Sequence, residues 1–540
     1  MPIYLRASLQ RRAVRTPLFE TLRRGLQLAC FANRPGELRP IELVETHRRV
    51  LRSRRELLRA SATSALALGC GALYGRELKP LGEARRSDPK VAIVGAGIAG
   101  LMAAYELKRA GLRSSVYEAS KRTGGRIYSS RDLLAPGLTS ELGGEFIDSD
   151  HAVMLGLAKE FDLELIDLES SRDEGRLTEA YFFEGTHHTE AEVVEAFLPL
   201  AKRIEADSDE IDDNVSFENE GGAGALDRTS IAEYLDRIGA AGWIRRLIEV
   251  AYVAEFGLDC DRLSVLNLLF LISTDLTSGK LALYGESDER YKVRGGNQQV
   301  TDALAERIAG QIHFEHKLEA IRSLGDGYRL SFTVCGGGAV DIDADFVIIA
   351  IPFSVLRHVA LRVELPEVKK KAIAELGYGT NTKLLAGVVR PVWKERGYTG
   401  VVYSDEPFQS AWDNSQFQGT SVAGLTLFSG GQAGVEAGAG TAREQIQRLI
   451  GGVDRAFPGV LHALNGKCAR FHWPSHPYAE GSYACYKPGQ WTTIAGAEGR
   501  PVANLLFAGE HCSFDSSGFM NSGAASGQSA AREVLSRCER

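Results

Sequence analysis

The chain has 540 residues, 44% of them hydrophobic, which excludes a disordered chain and gives length for two or more domains or one large domain with interleaved parts. The formal net charge of −7 excludes a general nucleic-acid binder, which needs a basic surface. Eight cysteines with no C-x-x-C pair exclude a dithiol redox motif, the usual zinc ribbon and a disulfide scaffold.

The charge is uneven: residues 1–60 hold 14 Arg, no Lys and 5 Glu, so residues 61–540 carry −16. Within the basic part, Ser53-Arg54-Arg55-Glu56-Leu57-Leu58-Arg59 precedes Ala60–Gly75, sixteen uncharged residues rich in Ala, Gly and Ser. Positive charge followed by a short apolar stretch is the order of an export signal, and the arginine pair resembles the twin-arginine type. The stretch is shorter than the ~20 residues of a membrane-spanning helix. An Arg-rich amphipathic segment is the plainer alternative. The export reading implies passage through export machinery to a periplasmic or other extracytoplasmic site, against a cytoplasmic one. About fifty residues precede the signal, so 1–49 reads as a leader or misread start, with Val50 or Leu51 as non-Met starts and 50–87 as signal and linker. Cys70, after Leu68-Gly69, resembles a lipoprotein cleavage site, but Ala67 stands where Leu is expected.

Lys90-Val-Ala-Ile-Val94 is apolar and β-branched and predicts a buried parallel strand. Gly95-Ala-Gly97-Ile-Ala-Gly100 follows at once, then Leu101, Met102, Tyr105 and Leu107 at helical spacing, then Ser114-Ser-Val-Tyr-Glu118, a strand ending in an acid. This is a whole βαβ context for a dinucleotide fingerprint. Gly95 allows the turn out of the strand, Gly97 lets a pyrophosphate approach the backbone, and Gly100 lets the helix pack on the sheet. The helix N-terminus offers free N–H groups to phosphate. Glu118, 18 residues after Gly100, can take both ribose hydroxyls. A glycine-rich turn of any α/β protein is the bland alternative.

Two more glycine pairs, Gly124-Gly125 and Gly143-Gly144, strip the backbone of side chains and suit a longer ligand than NAD, namely FAD. No second complete fingerprint marks a nicotinamide domain. Asp207–Glu220, acidic and polar, reads as a solvated loop, and so does glycine-rich Gly430–Gly440 at the surface. Thr229–Ile272 has helical apolar spacing, and its Leu263–Ile272 block is too short to span a membrane and reads as a buried helix. No H-E-x-x-H is present, and Pro474 between His472 and His476 prevents one helix from offering both to a metal; a G-x-S-x-G elbow is also absent.

The E-A-x-x-R-x-G-G-R string is Glu118–Arg126, and an E-L-G-G string is Glu141–Gly144. Further along stand Tyr291–Asn297 with Gly295 and Gly296, the apolar run Phe346–Pro352, Leu365-Pro366, Gly377-Tyr378-Gly379, Lys383, Trp473, Gly481-Ser482-Tyr483, Ala508-Gly509-Glu510 and Ser517-Gly518-Phe519-Met520. In this order, from about Lys90 to about Glu533, the chain resembles the flavin-containing amine oxidase family of monoamine, polyamine and L-amino-acid oxidases. The resemblance implies an α/β fold: a discontinuous Rossmann-type FAD-binding domain (88–160, 288–358 and 470–540) interleaved with an α+β substrate domain (161–287 and 359–469). It implies FAD held by Gly95, Gly97, Ile98, Ala99, Gly100, Glu118, Ala119, Arg122, Gly125, Arg126, Gly143, Gly144, Glu145, Phe146, Leu318, Glu510, Gly518, Phe519 and Met520. The implied partners are a small-molecule amine and oxygen, with a homodimer left open.

By the same resemblance Lys383 is the anchor near flavin N5 and an aid to oxygen reduction; a strand-end surface lysine is the alternative. Tyr483 and Phe519 stand at the two aromatic walls that sandwich the amine, presenting electron-rich faces. Monoamine oxidases have Tyr at both, so Phe519 removes one phenol. Trp473 lies against the flavin. Ser482 stands where monoamine oxidases attach FAD through a Cys, and a hydroxyl cannot form that thioether; Cys485 faces elsewhere in an extended segment, so non-covalent FAD is expected. Phe146 stands where L-amino-acid oxidases carry a carboxylate-gripping Arg. Asp148 stands where polyamine oxidases meet a distal amine, and it equally fits an N-cap for a helix over Ala152–Phe161. The expected reaction is FAD-dependent oxidation of a primary or secondary amine, a di- or polyamine among them, to an imine with peroxide. The rivals are an L-amino-acid oxidase, a same-fold desaturase or protoporphyrinogen-type oxidase, and a non-catalytic FAD-binding module; Lys383 and the aromatic pair argue against the last two.

Overall fold

Val91–Val94 is buried on both faces because it forms the middle of a five-stranded parallel sheet. The strand order is Leu505–Phe507, Phe346–Ile349, Val91–Val94, Ser114–Tyr117, Ile312–His313. A computed structural model describes residues 89–169, 177–212, 214–271, 288–419, 422–514 and 516–539. The arginine pair, Ala60–Gly75, Cys70 and the 1–49 leader all lie outside the described residues. Among the described residues no helix is long and apolar enough to cross a membrane.

The chain leaves this sheet and returns to it four times, so the sheet is assembled from segments far apart in sequence. The helix Ile98–Arg109 carries the first crossover, and the C-terminal helix Met520–Cys538 packs along it. Small residues set that approach: a Cβ on Gly527 would come within 2.2 Å of Ala99 O. A four-stranded sheet, ordered Ala339–Ala344, Gly327–Val334, His316–Leu324, Ala360–Arg362, flanks the domain.

The second large sheet has seven strands and is mostly antiparallel. Its order is Leu464–His472, Thr382–Val388, Ala423–Ser429, Ser410–Asp413, Tyr398–Ser404, Thr178–Phe183, Thr186–His188. Leu464–His472 runs across the domain break expected at 469/470, because it pairs with Thr382–Val388 through its whole length. Register fixes one functional face: Lys383, Phe428 and Ser410 stand opposite one another in a cross-strand row.

Two expected loops are corrected in part: 430, 437–440 and the described residues of 210–220 do lie outside helices and strands, but the rest is helical. Gly431–Glu436 is helical, its first turn capped by Asp259 Oδ2, which accepts the Gln432 N–H at 2.9 Å. The helix Glu190–Asp209 extends through Asp207, whose carboxylate is buried and accepts from Tyr234 Oη at 2.8 Å and Arg203 Nε at 2.9 Å. The apolar block does form a buried helix, Leu266–Leu271.

Candidate active site

One cavity of about 540 Å³ runs from the carboxyl ends of the parallel strands to the face of the seven-stranded sheet. Gly95, Glu118, Ala350 and Gly509, each just past a parallel strand, line one end; Lys383, Phe428 and Ser410 line the other. Ligands of doubly wound folds bind at such strand ends.

The first glycine turn is built for a phosphate. Gly95 has φ +102°, and a Cβ there would come within 2.8 Å of Ala350 O. Gly97 caps the helix Ile98–Arg109 with no side-chain bond, so the first-turn amides stay open to the cavity. Glu118 is oriented by two backbone amides, Ala96 N at 2.7 Å and Ser120 N at 2.8 Å, one on each oxygen. Each oxygen keeps a second lone pair for a ribose hydroxyl. Gly143 and Gly144 close the wall: a Cβ would meet Arg126 O at 1.9 Å on the first and Met520 Sδ at 2.8 Å on the second. Arg126 is held by Glu510 at 2.7 Å and Ser482 O at 2.9 Å. An uncapped helix end, a glycine cradle and a carboxylate on the next strand fit the phosphate and ribose groups of FAD.

At the other end Lys383 is buried, and Nζ donates to Glu145 Oε2 at 2.7 Å, Gly143 O at 2.9 Å and Glu141 O at 3.2 Å. Three acceptors match the three N–H bonds of an ammonium, which has no lone pair to place. The other Glu145 oxygen accepts from Trp412 Nε1 at 3.1 Å and lies 3.9 Å from Lys292 Nζ. Trp412 also places its ring 5.3 Å from Lys383 Nζ. Glu141, behind this group, is raised to about 7 by burial, against the lowering bonds from Ser129 and Asn297.

Of the residues named from the sequence, all but Gly100 and Asp148 line the cavity. A Cβ on Gly100 would sit 2.0 Å from Gly95 O, so its role is packing inside the turn. Asp148 is fully buried, and its Oδ1 accepts the Glu289 N–H at 2.9 Å, so a ligand in the cavity does not meet it. Nor does it cap the helix Ala152–Glu160: His151 is the N-cap residue, without a side-chain bond. Burial lowers His151 to about 4. Its Nδ1 accepts the Asp148 N–H at 3.0 Å, which puts the neutral ring's proton on Nε2, 3.4 Å from Asp148 Oδ2.

Tyr483 donates to Ala254 O at 2.8 Å, Phe519 meets the His151 ring edge-to-face at 5.0 Å, and Trp473 Nε1 donates to Leu142 O at 3.1 Å. Among the described residues no cysteine lines the cavity, and Cys485 is buried in a two-stranded ladder with Gly377. Sequence reading missed Trp412, Lys292 and Glu289. Lys292 reaches the site from a strand paired with the distant Leu165–Asp167, but it lies three residues before the Gly295-Gly296 pair and could have been noticed there; Trp412 lies on a strand paired with its neighbours in sequence.

The sequence profile of the flavin-containing amine oxidoreductase family matches residues 98–535. An L-amino acid dehydrogenase of Synechocystis sp. is 25% identical over 476 residues, covering 82% of this chain and 94% of its own length. Cyclohexylamine oxidase from Brevibacterium oxydans IH-35A superimposes with a TM-score of 0.72 at 24% identity, covering 84% of this chain and 100% of that one. Putrescine oxidase bound to putrescine gives 0.69 at 20% identity, covering 83% and 99%.

Proposed function

This chain belongs to the flavin-containing amine oxidoreductase family and is an FAD-dependent oxidoreductase, and we propose that it oxidises a primary or secondary amine to the imine, with oxygen reduced to hydrogen peroxide. FAD held by the glycine cradle and Glu118 would supply a two-electron acceptor for the C–H bond beside the amine nitrogen and an electron donor for oxygen. The chain's own residues do the rest. Tyr483 and Phe519 confine the amine between rings, and the Lys383 ammonium sets a fixed positive charge at the cavity wall where oxygen gains electrons.

The observation that carries this reading is Lys383 in its three-acceptor setting, beside two aromatic walls. An amino-acid substrate fits less well. Phe146 offers no charge, and the three arginines that line the cavity among the described residues are engaged: Arg126 by Glu510, Arg290 by Asp167, and Arg122 by the Thr123 and Ile127 carbonyls. The test is a panel of amines and L-amino acids incubated with purified protein, read as peroxide. Peroxide from amines supports the proposal; peroxide from amino acids alone replaces it with the oxidase of amino acids, and none from either removes it.

Non-covalent attachment of FAD is part of the proposal. Ser482 Oγ donates to Asn381 at 2.6 Å and carries no thiol chemistry. Acid or heat precipitation is expected to leave yellow flavin in the supernatant; colour retained in the pellet would contradict this.

A further inference from the structure

The resemblance sets Glu145 among the residues that hold FAD, but its carboxylate is engaged elsewhere. Glu145 is 5% exposed and lines the cavity. Its Oε2 accepts from Lys383 Nζ at 2.7 Å, and its Oε1 accepts from Trp412 Nε1 at 3.1 Å. A carboxylate is planar, so the indole that fixes one oxygen also fixes where the other stands. The main chain is held as well: Glu145 O accepts from Asn297 Nδ2 at 2.7 Å. Trp412 is set by its strand, where it stands opposite Thr426.

The three acceptors of the Lys383 ammonium are unequal. Gly143 O and Glu141 O bring dipoles, whereas Glu145 brings a full negative charge. The same carboxylate faces a second buried ammonium: Lys292 Nζ lies 3.9 Å from Oε1 and donates to Asn414 O at 3.2 Å. Burying such a trio costs desolvation that apolar side chains would avoid, so stability is a weak reason for it. Residues 145, 292, 383 and 412, from four separate chain segments, all line the cavity where they converge.

We propose that Glu145 is the positioning residue of Lys383: its carboxylate holds the ammonium at the cavity wall for electron transfer to oxygen, and Trp412 holds the carboxylate. The inference rests on the role given to Lys383 in the functional reading above. In that step anionic reduced FAD gives up two electrons and one proton, a second proton comes from solvent, and oxygen becomes hydrogen peroxide; Glu145 and Lys383 end as they began. A cation fixed in the wall favours negative charge gained there, whether on reduced flavin or on oxygen.

Glu145→Gln separates this role from a merely structural one. Glutamine offers one oxygen and one NH2, so either the Trp412 N–H or the Lys383 ammonium faces a donor. The two outcomes differ in sign. If the ammonium stays in place without Glu145, the wall has lost an anion and the midpoint potential of bound flavin rises. If Glu145 holds it, the cation leaves the wall and the potential falls. The holoenzyme is reduced with dithionite, with no amine present, and mixed with oxygen in a stopped-flow instrument. Reoxidation in Glu145→Gln is expected to slow about ten- to a hundred-fold, the range seen for groups that orient metal ligands. Its potential is expected to lie below that of wild type, and adding Lys383→Met to it should slow reoxidation no further than Lys383→Met alone. Reoxidation within about three-fold of wild type, an unchanged or raised potential, or additive losses in the double variant would overturn the proposal. If Glu145→Gln does not accumulate, Trp412→Phe keeps the ring and removes the N–H; it should move rate and potential in the same directions by less, and wild-type values for both would overturn the proposal. No amine enters these measurements, so a failed amine panel leaves them standing. If reduced wild type does not react with oxygen, the oxidase reading fails, and the potentials alone decide whether Glu145 holds the lysine.

Discussion

Lys383→Met is expected to slow turnover by roughly 10²–10³-fold while FAD stays bound, the range seen when one fixed donor is removed from a site of charge development. Lys383 lies in the strand Thr382–Val388, and cross-strand pairing with Phe428 turns its side chain to the cavity. Met keeps the length and removes the charge. The phosphate and ribose end of the cradle, Gly95, Gly97 and Glu118, is not touched; Gly143 O loses the bond it accepts from Lys383. A stability cost comes with the change. Glu145, 3% exposed at its side chain, loses its 2.7 Å partner and keeps Trp412 and the more distant Lys292. Breaking a buried pair costs about 3–5 kcal/mol, so the melting temperature is expected to fall as well. Flavin content and stopped-flow rates on the same sample separate the two effects. Rates within a few-fold of wild type, with a lowered melting temperature, would make Lys383 a structural cation for Glu145 and nothing more.

The nucleotide half of the site was legible because its demands are local. Gly95 and Gly97 answer to the geometry of one turn, and Glu118 follows from the length of one helix and one strand. The substrate half answers to contacts far apart in sequence. Whether an acid at 148 faces a ligand depends on residue 289 lying over it, and no periodicity around Asp148 carries that information. Trp412 joins Lys383 through the register of a sheet whose strands are drawn from several chain segments. The same cause explains the misread loop at Gly430–Gly440. Its glycines suggest a turn, but the cap that starts the helix comes from Asp259, far back in the chain. Asp207 was read as solvated because it is an acid in an acidic run; Tyr234 and Arg203 satisfy it and allow it to be buried.

Gly97→Val is expected to give a folded protein without FAD. Gly97 has φ −72° and ψ 177°, an extended conformation that a β-branched residue adopts without strain. A Cβ built there meets only Gly125 Cα, at 3.8 Å, an ordinary contact. The protein itself therefore has room for the first carbon, and the valine methyls project where the glycine cradle opens to the cavity. What they displace is ligand: the backbone at this turn serves a pyrophosphate only when bare. Gly100→Val is the contrast. Its Cβ would sit 2.0 Å from Gly95 O, inside the turn and away from the cavity, so that variant should fail to accumulate as folded protein at all. The pair of measurements is flavin absorbance per chain and the far-ultraviolet circular dichroism of the purified variants. For Gly97→Val the expected result is a colourless protein with the wild-type fold signature. Stoichiometric flavin in that variant would mean that the pyrophosphate does not cross this turn, and the orientation of the cofactor in the cavity would have to be reversed.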